Sequence, residues 1–232
     1  MTTATATTPI RSERAFVVTS TRRVAGIAAI AGGACMLIGA GLWAASGADL
    51  DAALADGTMS EYLVDAASST GLLVANLSFW IVGVTLIAIA GVALTGMDRE
   101  QGVIHAAART TYLIAAPVAI AAFTAWLALV RIAGNATTSP ALAESLGFFA
   151  SRADWIATVL LVGFGPLLVA MAGRETWVPK WLARWSRVAA GAGLLTVVAM
   201  YTDQLSSYGF LIVPIGIGWT IAAGIVALRS TS

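Results

Sequence analysis

The chain has 232 residues, of which 59% are hydrophobic and only 11% charged, with a formal net charge of +1. A soluble domain carries about 25% charged residues, so too few polar side chains are present to cover a water-facing surface, and the expected setting is a lipid bilayer. The one cysteine, Cys35, excludes an intramolecular disulfide.

In chain order, residues 1–21 are rich in Thr and Ala and include Pro9, which predicts a disordered cytoplasmic tail. Arg22 and Arg23 then precede an apolar run over 24–45. That run is too long for the ~7–15-residue apolar region of a secretory signal. At 1.5 Å per residue it can cross a hydrocarbon layer of ~30 Å, so a retained membrane anchor is expected. Further apolar runs predict helices over 71–94, 111–130, 155–172 and 209–228. A shorter run, Val188–Thr202, spans only if it borrows residues at its ends, giving a helix over about 182–203. None of the runs alternates with period two, so barrel strands are excluded and the expected fold is all-α: a six-helix transmembrane bundle over 22–229.

Connecting segments refine this picture. In the first loop, Thr58 and Glu61 fit a T-x-x-E capping box. Met59, Tyr62, Leu63 and Ala66 follow at i, i+3, i+4 and i+7, which predicts a short amphipathic helix lying on the bundle. Its acids Asp49, Asp51, Asp56, Glu61 and Asp65 lack the order of a calcium loop, so a solvated loop and no metal site is expected. Pro117, Pro166 and Pro214 fall inside predicted helices and should kink them, most of all beside Gly163 and Gly165. Asn76, Ser78 and Thr124 should hydrogen-bond between helices.

Orientation follows from basic residues. With the N-terminus inside, eleven of the thirteen Lys and Arg fall on inner segments, and only Arg131 and Arg152 fall outside. This imbalance predicts cytoplasmic N- and C-termini. The segment TWVPKWLARWSR (176–187) fits the same scheme. On a helix starting near Pro179, Trp181, Trp185 and Val188 share one face, with Lys180, Arg184 and Arg187 beside it. Indole rings favour the headgroup level and basic side chains snorkel to phosphate, so Trp177, Lys180, Trp181, Arg184, Trp185 and Arg187 are the expected interfacial anchor, in contact with membrane lipids. Three cations beside a membrane do not make a nucleic-acid groove.

This stretch also carries a resemblance. WVPKWLARWSRVAAGAGLL (177–195) resembles the block leading into the fifth helix of a bacterial six-helix membrane family known as domain of unknown function 4386. RRVAGIAAIAGG (22–33) is similar to that family's first-helix start, and SRADW (151–155) to its Arg-Asp-Trp segment, with Ala153 interposed. The resemblance covers about Arg22 to Arg229 and implies a multi-pass protein of a bacterial plasma membrane. It implies no catalytic residues.

Charged groups near membrane depth are functional candidates. Arg131, Arg152, Asp154 and Asp203 cluster by topology at the outer side and form the expected ligand pocket. Ser151 is expected to cap the fourth helix, with Asp154 at its third position. One histidine and one lysine exclude a bis-histidine haem and argue against a retinal Schiff base at membrane depth. No hydrolase, zincin or Walker motif is present, so no cofactor and no catalytic residue is assigned. The expected function is a non-enzymatic module binding a small apolar ligand, a lipid or a partner membrane protein. The alternatives are a small transporter or channel, and then an intramembrane enzyme using carboxylates.

Overall fold

The computed structural model describes residues 9–97, 102–135, 139–202 and 209–229, with side chains from Ser20 onward. The described residues form helices and connecting turns, with no strand among them. They are α1 (Pro9–Ser46), α2 (Leu50–Asp56), α3 (Met59–Ser68), α4 (Thr70–Thr95), α5 (Val103–Ala133), α6 (Pro140–Thr158), a π-helical segment (Val159–Phe164), α7 (Gly165–Ala172), α8 (Lys180–Ala199) and α9 (Ile212–Arg229). α1 thus begins at Pro9, within the stretch expected as a tail.

Among the described residues, five spans are long and apolar enough to cross a membrane: Ser20–Ser46, Thr70–Thr95, Val103–Ala133, Pro140–Ala172 and Gly209–Arg229. α8 is not among them, because Lys180, Arg184 and Arg187 occupy its first turns. α1 lies along α4 and α9, α5 along α4 and α6, and α8 against the π-helical segment, α7 and α9. With no difference in apolarity between lipid and a leucine side chain, such contacts rest on close packing. Gly32 and Gly83 let α1 approach α4: a Cβ on Gly32 would stand 3.0 Å from the Gly83 carbonyl oxygen. Large side chains such as Leu77, Ile87, Phe123 and Trp219 fill the interior, while Ile27, Leu37, Val82 and Leu113 face outward.

The rod from α6 to α7 departs from expectation. It starts at Pro140, not near Trp155, with proline in the first turn where its missing N–H costs nothing. Glu144, Ser145, Arg152 and Asp154 dilute the hydropathy of this stretch without interrupting the helix. Ser151 is therefore no cap but an interior helical residue, only 2% exposed. The expected irregularity at Gly163–Pro166 takes the form of the π-helical segment. Pro166 has no N–H for the Val162 carbonyl four residues earlier. α9 packs against that same carbonyl through Gly216, whose added Cβ would overlap the oxygen and stand 2.5 Å from Val162 Cβ.

Other expectations are corrected in the same way. Pro117 does lie inside α5, but Pro214 sits in the first turn of α9, where it need not kink the helix. Asn76 bonds across helices, its Nδ2 donating to the Gly39 carbonyl at 2.9 Å. Ser78 and Thr124 instead donate to Val74 and Ile120 one turn earlier on their own helices, the back-bond that mid-helix hydroxyls favour. Thr58 makes no side-chain cap bond to α3.

α2 and α3 fold over one end of the bundle. Asp49 caps α2 by accepting from Ala52 N at 3.1 Å, and Gly57 ends it with φ 69°, a left-handed conformation suited to glycine. Leu50 is fully buried; it lies close to Gly147 of α6. Met59, Tyr62 and Ala66 are the buried residues of α3, and Trp126 Nε1 of α5 donates to the Tyr62 hydroxyl at 2.7 Å.

Candidate functional site

Beneath the α2–α3 cover lies a cavity of about 100 Å³ whose wall is largely aromatic. Trp43, Trp80, Phe123, Trp126, Trp155 and Phe210 line it, with Met36, Ala40 and Val213 between them and Asp49, Asp51, Asp154 and Thr158 as its polar groups. The rings form two groups. Phe210 stacks on Trp43 at 5.9 Å and meets Trp155 edge-on at 5.0 Å. Trp80 contacts Phe123 at 5.4 Å and Trp126 at 6.0 Å. Such offset and edge-on pairs hold each other's orientation.

Three indole N–H groups are already committed. Trp80 donates to the Met36 carbonyl at 3.3 Å, Trp126 to Tyr62 and Trp155 to Asp51 Oδ2 at 3.0 Å. These bonds fix the rings in the cavity wall. Burial pushes the Tyr62 phenol up from its ordinary value, so it stays neutral and serves the Trp126 bond.

Asp51 is the hinge-pin of the arrangement. One carboxylate oxygen accepts from Ser151 Oγ and the other from Trp155 Nε1, so α2 is tied to two successive turns of α6. Burial raises the Asp51 carboxyl above its usual range. The Ser151 and Trp155 bonds oppose that rise; Asp49 adds to it and Arg152 lowers it.

Asp154 is held differently. It lies on α6 one turn before Thr158, whose hydroxyl donates to its Oδ1 at 3.3 Å. No protein donor to its second oxygen is found among the described residues. What surface it retains faces inward, for it lines both the aromatic cavity and a smaller, deeper one of about 30 Å³ walled by Val84, Ile87, Leu161, Val162 and Ile217.

On the other side of Asp51 and Trp155 the aromatic cavity adjoins an open vestibule of about 650 Å³. Asp49, Asp51, Glu144 and Arg152 line it. The Arg152 guanidinium sits 5.3 Å over the Phe148 ring, a cation–π contact. The three spaces share walls, Asp49, Asp51, Trp155 and Phe210 between the first pair and Met36, Asp154, Thr158 and Val213 between the second.

The expected pocket is therefore only partly assembled. Asp154 lines the aromatic cavity and Arg152 the vestibule, whereas Arg131 is exposed at the end of α5 and lines neither. Asp203 lies outside the described residues. Of the expected anchor residues, Lys180, Trp181, Arg184 and Arg187 are exposed and Trp185 is half-buried, its ring tilted against Trp181 at 6.3 Å. Trp177 is buried, only 8% exposed, under Gly173, so it packs the interior and does not face the surface.

Asp51, Ser151 and the aromatic wall did not emerge as a site from the sequence. In the sequence Asp51 reads as a solvated loop acid, and no motif draws Trp43, Trp80, Trp126 and Trp155 together. One signal was present: Trp80 lies ten residues past the start of α4, about 15 Å along the helix, which is too deep for a headgroup belt.

Comparison of the chain with family models, curated proteins and solved structures finds no match.

Proposed function

We propose that the chain is a multi-pass membrane module that holds a small ligand in the aromatic cavity beneath α2 and α3, at the outer face of a bacterial plasma membrane. The observation that carries this reading is an aromatic cavity with fixed rings and carboxylates in its wall, adjoining a wide vestibule on one side and a space with an apolar wall on the other. Preformed apolar pockets with a few placed polar groups are the usual form of small-molecule sites. In this reading α8 completes the bundle as a sixth helix, anchored through Trp181, Arg184 and Arg187.

Two competing functions are less well supported. A transporter needs a polar path through the bundle, and the deep end of the series is closed by Val84, Ile87 and Ile217. Carboxylate-dependent catalysis gains support from Asp51 and Asp154 lining one cavity. General acid–base work needs a group free to exchange a proton with the substrate, and both oxygens of Asp51 already accept from protein donors.

Native mass spectrometry of the full chain released from mild detergent tests the proposal, beside Ala40→Leu. Ala40 lines the cavity, and three added carbons would occupy its space. The expected result is a discrete retained mass in the parent chain that is lost from a folded Ala40→Leu variant. A bare parent chain, or a mass retained equally by both, would overturn the reading.

A further inference from the structure

The chemistry of the wall restricts what the cavity can hold. We infer that its ligand is an organic cation, an amine or quaternary ammonium group carried on an apolar body; this rests on the ligand-binding reading above.

The first argument is a count of donors and acceptors. The indole N–H groups of Trp80, Trp126 and Trp155 are spent on Met36, Tyr62 and Asp51, and the Thr158 hydroxyl proton is spent on Asp154. The wall still offers the second oxygen of Asp154, the Asp49 carboxylate, the aromatic rings and, at Trp43, one indole N–H with no protein acceptor among the described residues. A ligand carboxylate or phosphate would meet a carboxylate and few donors. An ammonium group would meet carboxyl oxygens that accept.

The second argument is the rings themselves. Their faces carry the negative lobe of the aromatic quadrupole, which attracts a cation within about 6 Å of the ring centre. Six such rings, in two stacked or edge-on groups, line the one cavity. The third is charge. No Lys or Arg lines the aromatic cavity among the described residues, and Arg152 is held in the vestibule over Phe148. No basic side chain among the described residues of the cavity wall pairs with Asp154 in place of a ligand, while Asp49, Asp51 and Glu144 at the vestibule draw cations toward it. The deeper 30 Å³ space and its aliphatic wall then suit a short apolar end of the same molecule.

The test uses the full chain in lipid nanodiscs, with empty nanodiscs subtracted, and reads tryptophan fluorescence and titration calorimetry. Three probes of similar shape differ in charge: benzyltrimethylammonium, its neutral carbon isostere neopentylbenzene, and phenylmethanesulfonate. The cation should bind saturably, roughly tenfold or more tighter than the neutral isostere, and the sulfonate should not bind. Asp154→Asn should lower the cation's affinity about tenfold and leave that of neopentylbenzene unchanged. Equal or tighter binding of neopentylbenzene would refute the cation and leave the ligand-binding module standing, as would sulfonate binding. If no probe binds while native mass spectrometry still finds a retained mass, the cation alone falls; with no retained mass, both readings fall. Should Asp154→Asn fail to fold, the ranking of the three probes on the parent chain decides the matter.

Discussion

Replacing Asp51 separates its hydrogen bonds from its charge. In Asp51→Ala, Trp155 Nε1 loses its 3.0 Å partner. The indole can only donate, and its ring is fixed edge-on against Phe210 at 5.0 Å, so it keeps its place when the carboxylate is gone. Leaving it unpaired costs about 1–3 kcal/mol. Ser151 can turn its hydroxyl to a carbonyl of its own helix, so its share is smaller, roughly 0.5 kcal/mol. Relief of a buried charge offsets part of the sum. The net expectation is a loss of about 2 kcal/mol, or roughly 4–8 °C in a thermal melt for a chain of this size. Asp51→Asn should behave differently. Its Oδ1 can accept from Trp155 while its Nδ2 donates to Ser151 Oγ, and no charge is buried. The pH dependence follows from the raised carboxyl. The folded state holds its proton more tightly than the unfolded one, so this stabilisation is complete below the ordinary value of 3.8. It is lost as pH rises through the higher folded value. The parent chain should therefore lose stability relative to Asp51→Asn over that interval, and the difference should level off above it. Melts followed by tryptophan fluorescence in detergent across pH 4–8 provide the assay. An asparagine variant as unstable as the alanine, or one that keeps the parent's pH slope, would refute the double-acceptor role.

Three further outcomes are expected. Gly216→Ala should destabilise by about 1–3 kcal/mol, because its Cβ meets the Val162 backbone and not a movable side chain. Gly191→Ala, with open space around it, should be neutral or stabilising by about 0.5–1 kcal/mol; melts giving the reverse order would contradict the close crossing of α9 and the π-helical segment. A double-mutant cycle on Tyr62→Phe and Trp126→Phe should give a coupling of about 1 kcal/mol, and zero coupling would remove their bond as the latch of α3. On a Cys35→Ala background, Ser60→Cys should react with a membrane-impermeant maleimide on intact cells and Arg174→Cys only after lysis, the opposite pattern reversing the proposed orientation.

Much of the helical order could be read from residue type and spacing. The membrane setting, the approximate position of α1, α4 and α5, and the basic face of α8 depend on local composition. In lipid every backbone group must be paired within its own helix, so an apolar run of sufficient length has one secondary structure open to it. The Gly163–Pro166 irregularity was also legible, since proline withholds one bond wherever it stands. The start of α6 was not: Glu144, Arg152 and Asp154 lower its hydropathy, and only the folded chain shows that Asp154 faces a cavity and Arg152 a vestibule. Asp51 illustrates the same limit. In the chain it is one acid among five in a polar loop, a hundred residues from Ser151. Its role exists only once α2 folds over α6 and brings a donor-only indole and a hydroxyl to its two oxygens. The four tryptophans of the cavity likewise come from α1, α4, α5 and α6, and nothing within any one helix pairs its tryptophan with the other three. Composition and period determined that these helices form and that they belong in lipid. Which faces they turn to one another was decided by tertiary packing, because side-chain partners distant in sequence leave no periodic trace within any single helix.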